Sequence, residues 1–420
     1  MRELTALLRQ NFVQKVLFLG FILFFSFISF AQEGAKDNRY GGYARLYSMG
    51  DNPYIVDPDN IKLNPAYSSV YSNFLWGDIG SSNGNVQDGN GQFAGFNYAF
   101  NDQFTLGFLL TRNDFMTSYA IGGLDPRNLA GQINNATGAN VVPLNNNFEL
   151  LGSYNFGSFV LGLGVAYAST TNDFVPETGD GYKNSASQFG VNLGLMGKLS
   201  SSFKFDVAAS LVLPSVSYEP DAVGEDDVEA SNTDIFVNAR GFWALSKKVT
   251  IVPAVGFLTS TGSATIGSTT NDLPSWMGIL VGVGLHYQVG DLLIAGGPSF
   301  MYETETIAAT ETAAEESNSW TTFPGWNLGA EWYFTDWLVG RLGYVASTFS
   351  GNYQNAVSPS AVDEYTQTGF SEGDVRLGVG FRFGGFNLDA TVNDDALRQG
   401  LNLVGGGVPS FAYLSASYGF

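Results

Sequence analysis

Catalysis has little to work with in this chain: it holds one histidine, His286, and no cysteine. A serine triad or an imidazole metal cluster would have to be built on His286 alone, and nothing beside it resembles a nucleophile elbow. The missing cysteines exclude a thiol nucleophile, thiolate metal sites and a disulfide framework. The reading is a non-enzymatic protein without a cofactor, in which His286 is a hydrogen-bonding residue; a lipase built on it is the weaker alternative. What remains is charge. Glu219, Asp221, Glu225, Asp226, Asp227 and Glu229 crowd one polar stretch, and Glu303, Glu305, Glu311, Glu315 and Glu316 another. Hard cations favour such oxygens, but no EF-hand spacing is present, so a solvated surface is preferred to a metal site. A second set, Arg240, Arg341, Arg376, Arg382, Glu331, Lys204 and Asp206, sits inside otherwise alternating segments.

Those segments decide which way the charges point. From Ser72 onward, runs of about ten residues with apolar side chains at every second position alternate with very short turns and longer polar loops, the rhythm of membrane-spanning strands. Phe159, Leu161, Leu163, Val165 and Tyr167 share one face, opposite Gly162, Gly164, Ala166 and Ala168. Met277 to Tyr287 and Val375 to Phe383 repeat the pattern, with Gly278, Gly282, Gly284 and His286, then Arg376, Gly378, Gly380 and Arg382, on the other face. A two-sheet sandwich would carry Lys, Glu and Thr on its polar face; small residues there imply a lumen filled by something else. The charged set falls on this inner face, since Arg or Lys on the lipid face costs ~2–4 kcal/mol near the midplane. Glu331 and Arg341 flank the Thr335-Asp336 turn and are placed nearly opposite each other. A network that anchors an internal segment is preferred to a substrate-binding role for these charges.

Short turns are read at Asn101-Asp102, Phe156-Gly157, Ser200 to Ser202, Ser246 to Lys248, Val289-Gly290, Thr335-Asp336 and Gly384-Gly385. With Ser72 to Ile79 and Pro409 to Phe420 as the outermost runs, they predict an all-β, transmembrane, antiparallel up-and-down β-barrel of 14–16 strands. The chain ends in Phe420, with Tyr418, Ala416, Leu414 and Ala412 on the same face. Tyr418 and Phe420 therefore look like the terminal signal that outer-membrane barrels present to their assembly machinery. Arg2, Arg9 and Lys15 followed by the apolar run Val16 to Phe30 read as a signal peptide cleaved after Ala31, with the mature chain starting at Gln32. No later run approaches the ~20 residues of a spanning helix. The net charge of −20 becomes more acidic on cleavage and excludes a nucleic-acid partner.

Gly41 to Ser69 is the one substantial mature stretch that reads neither as strand nor as connection. Its Ala44-Arg45, Met49-Gly50, Asp57 with Asp59, and Asn64-Pro65-Ala66 resemble the N-terminal hatch of the FadL family of outer-membrane transporters; Asp51-Asn52-Pro53 departs from the family's small residues after Met-Gly. Domains are accordingly read as 1–31 signal peptide, 32–71 hatch and 72–420 barrel. Arg45 is expected to be held by Glu331 or Asp57. The resemblance implies uptake of a hydrophobic, fatty-acid-like molecule through a plugged lumen, with outer-membrane lipid as surroundings. The alternative it leaves open is a partner-binding barrel serving protein secretion or surface attachment. It also makes Pro214 and Pro253, inside strands, candidates for a lateral defect or a harmless bulge. Met116 to Leu144, with Ile121, Leu124, Leu129 and Ile133, is apolar enough for a helical cap over the mouth.

Overall fold

The structure, a computed structural model, describes residues 39–80, 93–112, 125–138, 141, 142, 144, 146–371, 373–392 and 411–420. The signal-peptide reading and the Met116 to Leu124 part of the mouth excursion lie outside these residues. The alternating runs form eighteen hydrogen-bonded segments: β1 (Phe74–Gly80), β2 (Phe93–Ala99), β3 (Phe104–Arg112), β4 (Asn146–Asn155), β5 (Phe159–Phe174), β6 (Tyr182–Lys198), β7 (Phe203–Pro220), β8 (Val228–Ala244), β9 (Val249–Ile266), β10 (Thr269–Asp272), β11 (Ser275–Val289), β12 (Leu292–Ile307), β13 (Glu316–Tyr333), β14 (Leu338–Ser358), β15 (Ala361–Phe370), β16 (Asp374–Phe383), β17 (Phe386–Val392) and β18 (Phe411–Gly419). All pairings are antiparallel, and β1 pairs with both β2 and β18, so the sheet closes. Both β10 and β11 pair with β9, and both β15 and β16 with β14. Each of these couples is therefore one wall strand with an irregular break, and the barrel has sixteen strands. All the short turns expected from the alternation lie between strands at the barrel end that also carries Phe420.

The face assignment follows residue by residue. Leu161, Leu163, Val165, Val281, Val283 and Leu285 are exposed outward, where lipid replaces water, while Ala166, Ala168 and Ala254 are buried inward. Near the short turns the outer surface carries rings in contact, among them Phe100 with Phe104, Phe156 with Phe159, and Trp332 with Phe334. This is an interfacial aromatic girdle, as membrane barrels require. Ala412, Leu414, Ala416 and Tyr418 point outward with Phe420, whose ring stacks on Tyr418 and Phe96.

Neither candidate proline opens the wall. Across β7 and β8 the pairs opposite Leu213 and Pro214 drop out, yet the register on either side is unchanged; the same holds across β8 and β9 at Val252 and Pro253. A proline lacks the ladder donor, and here the strand gives up that pairing instead of bulging. Register shifts occur elsewhere, around Phe300 in β12 and Phe323-Pro324 in β13.

Candidate functional site: the hatch and the cavity above it

The segment before β1 lies inside the barrel as three short pieces: α1 (Tyr43–Ser48), α2 (Asn60–Leu63) and a 3-10 turn (Pro65–Ser69). Each hatch motif has a local reason. Helix α1 ends at Met49, and Gly50 takes φ +79 so that its N–H and that of Asp51 close back on the carbonyls of Tyr47 and Leu46. That is a Schellman cap, which favours glycine. A Cβ on Gly50 would also come within 2.9 Å of the Leu328 carbonyl, and Met49 before it is wholly buried. At the other end Asn64 is extended, its Oδ1 accepts from the Ala66 N–H at 3.0 Å, and Pro65 opens the 3-10 turn. Asn64 Nδ2 donates to the Val207 carbonyl of β7, tying the junction to the wall.

Asp57 organises the middle. Its Oδ1 accepts from the N–H groups of Gly42 and Asp59, both at 3.0 Å, while Arg45 Nη1 donates to its Oδ2 at 3.0 Å. Burial pushes the Asp57 carboxyl up, to about 7, against the pull of the Arg45 guanidinium. Asp59 pairs with Lys62. Arg45 continues into the wall: Nε and Nη2 grip the two oxygens of Glu331 at 2.8 and 3.0 Å, the bidentate geometry that suits guanidinium and carboxylate. Arg341, cross-strand neighbour of Glu331, donates its Nε to the same carboxylate at 2.6 Å. Arg341 and Arg382 both pair with Asp389 at 2.7 Å. The result is one buried chain of alternating charge, Asp57, Arg45, Glu331, Arg341, Asp389 and Arg382, running from hatch to wall.

Elsewhere the wall reaches in. Arg240 donates to the carbonyls of Pro53 and Ile55, both at 2.9 Å, and holds Asp206. Arg376 pairs with Asp51 and lies 3.8 Å from the Tyr47 ring centroid. The His286 ring, at Nε2, meets the Tyr54 carbonyl at 2.9 Å, so the one histidine is a hatch contact. Sequence reasoning placed these wall charges and His286 on the inner face, but missed Asp51, Tyr54, Asp389 and Asn52, whose Nδ2 donates to the Ala295 carbonyl of β12 at 2.9 Å. The glycines held the signal for Tyr54: Cβ atoms on Gly282 and Gly284 would fall 2.3 and 2.2 Å from its side chain. Gly162 and Gly194 likewise make room for Ala66 and Asn64, and Gly329, Gly343 and Gly378 for Met49, Gly50 and Ser48.

Immediately to the loop side of Tyr54 is a cavity of about 470 Å³, floored by Leu46, Pro53 and Leu63 of the hatch and walled by Phe236, Leu258, Leu280 and Met301. Nearer the mouth, α3 (Leu129–Thr137) is fastened by Asp125, whose carboxylate accepts the N–H groups of Leu129 and Ala130, and by Gly138 at φ +72. Its Leu129 and Ile133 pack with Ala168, Ala186, Val216, Val228, Ala230 and Ala264 of the inner wall. Of the Met116 to Leu144 stretch read as a helical cap, the described part contains this one helix, Leu129–Thr137. The acidic run from Glu219 to Glu229 is exposed.

Neither a protein-family model nor a curated protein matches the sequence. Among solved structures, the toluene transporter TodX of Pseudomonas putida is similar at 11% identity over 92% of this chain and 100% of that chain, with a TM-score of 0.38. A Pseudomonas aeruginosa FadL homologue is similar at 12% identity over 92% and 99%, TM-score 0.40. The ferric yersiniabactin receptor FyuA of Yersinia pestis is similar at 11% identity over 83% and 79%, TM-score 0.32.

Proposed function

We propose that this protein is an outer-membrane barrel that passes hydrophobic small molecules inward through a lumen closed by its hatch. The observation that carries the reading is the cavity lined by Phe236, Leu258, Leu280 and Met301, enclosed between wall and hatch inside a barrel whose outer face is suited to lipid. An apolar chamber with a few polar groups is the usual form of a small-molecule site. The α3 cap screens the mouth, and the hatch, bonded across the lumen by Arg45, Arg240 and Arg376, closes the far side. Arg240, Glu331, Arg341, Arg376, Arg382 and His286 serve in this reading as hatch anchors; Tyr418 and Phe420 serve assembly.

The test is uptake of radiolabelled dodecanol by cells carrying wild type, no copy, or Ala254→Trp, which puts an indole into the cavity. Deletion should lower uptake, and Ala254→Trp should lower it severalfold at unchanged barrel levels. Uptake indifferent to deletion, together with a stably co-purifying secreted protein, would replace transport by the partner-binding reading.

A further inference from the structure

Of the side chains lining the cavity, Arg240 alone is basic, and it has nothing left to offer. Its Nε donates to Asp206, its Nη1 to the Pro53 and Ile55 carbonyls, and its Nη2 to Asp206, Asn60 Oδ1 and the Tyr67 hydroxyl. A guanidinium has five N–H groups, and all are committed to the hatch and its supports. Among the described residues that line the chamber, a ligand carboxylate would meet no uncommitted cation. Among the lining acids, Asp51, Asp59 and Asp206 are matched by Arg376, Lys62 and Arg240. Glu303 is different. Among the described residues no ion pair or hydrogen bond engages its carboxylate, although the residue is half-buried at the loop-side lip of the cavity.

The surroundings of Glu303 are built to keep it there. Its cross-strand neighbours are Gly278 on β11 and Trp320 on β13. A Cβ on Gly278 would come within 2.9 Å of Leu258 and 3.3 Å of Glu303 Cγ, so the glycine lets the glutamate stem lie against the wall beside Leu258. Just above, the rings of Trp276 and Trp320 stack with centroids 5.5 Å apart, and the Arg127 guanidinium sits 4.7 Å from the Trp276 centroid. The Trp276 face already receives one cation, Arg127, and the Glu303 carboxylate beside it is the cavity's one acid without a basic partner among the described residues, a second cation-binding group at the rim of the chamber.

We infer that the cavity selects apolar molecules that carry a protonated amine, the alkyl part in the chamber and the ammonium group at Glu303, and discriminates against fatty acids. This rests on the transport reading and narrows it to a substrate class. The test uses full-length protein in nanodiscs, with binding of radiolabelled dodecylamine, dodecanol and dodecanoate at pH 7 measured above empty nanodiscs. Dodecylamine should bind at least tenfold more tightly than dodecanoate, with dodecanol between them. Glu303→Gln should weaken dodecylamine about tenfold and leave dodecanol unchanged. Dodecanoate binding as tightly as dodecylamine, or Glu303→Gln without effect on the amine, would overturn the inference and leave transport of apolar molecules standing. Binding of none of the three would overturn both. If Glu303→Gln fails to insert, the wild-type ratio of amine to acid decides.

Discussion

At the scale of single residues, the chain of charge from Asp57 to Arg382 costs desolvation at every member and repays it only while every partner is present. Glu331 is the member with most to lose, since Arg45 and Arg341 both point at its carboxylate. Glu331→Gln leaves two buried guanidinium groups against a neutral amide and should destabilise the folded barrel by ~3–5 kcal/mol, read as a lower urea midpoint of the heat-modifiable band. Arg45→Ala removes the hatch end of the chain and leaves Arg341 still paired with Glu331. It should spare the wall and give a partial, flickering leak in planar bilayers; a silent pore would show that the hatch does not depend on this anchor. Arg45 with Glu331 and Asp57 was legible in the sequence because motif position and strand parity each restrict the choice. Asp389 and Asp51 were not, because parity says which face a residue takes and not which of sixteen strands stands across the lumen at its height.

At the scale of elements, alternation was the strongest signal and placed every short turn, because a period of two cannot be kept through a break without moving apolar groups off the lipid face. The breaks within β10–β11 and β15–β16 were invisible for the same reason: each preserves pairing with a single neighbour and looks in sequence like a loop. Pro214 and Pro253 each cost the ladder a pairing, as a missing N–H requires, while their strands keep register and show no lateral break. The two faces of β11 should respond differently to one substitution. Val281→Arg, facing lipid, should cost ~2–4 kcal/mol and reduce folded barrel. Gly282→Arg should insert more normally but expel Tyr54 from its seat, giving a leak in place of a loss of barrel. Equal barrel yields for Val281→Arg and wild type would refute the face assignment.

At the scale of the whole molecule, the hatch ties together distant parts of the wall, touching β7 through Asn64, β8 through Pro53 and Ile55, β13 through Arg45 and β18 through Ala44. Removing Gly41 to Asp59 should leave a barrel that conducts ions where the intact protein is nearly closed; a truncated barrel as silent as the whole would move the barrier to α3 and the wall's own side chains. These cross-lumen bonds also set an order of events. Arg45 reaches Glu331 286 positions later, and the Ala44 N–H reaches Ser415 371 positions later, so the start of the hatch finds these partners near the end of the chain. Contacts of such separation form late, after the intervening chain has been ordered. The hatch must therefore stay uncommitted and protected while the strands are laid side by side, and the closing of β18 on β1 encloses it where it lies, with no step in which it is threaded through a finished ring.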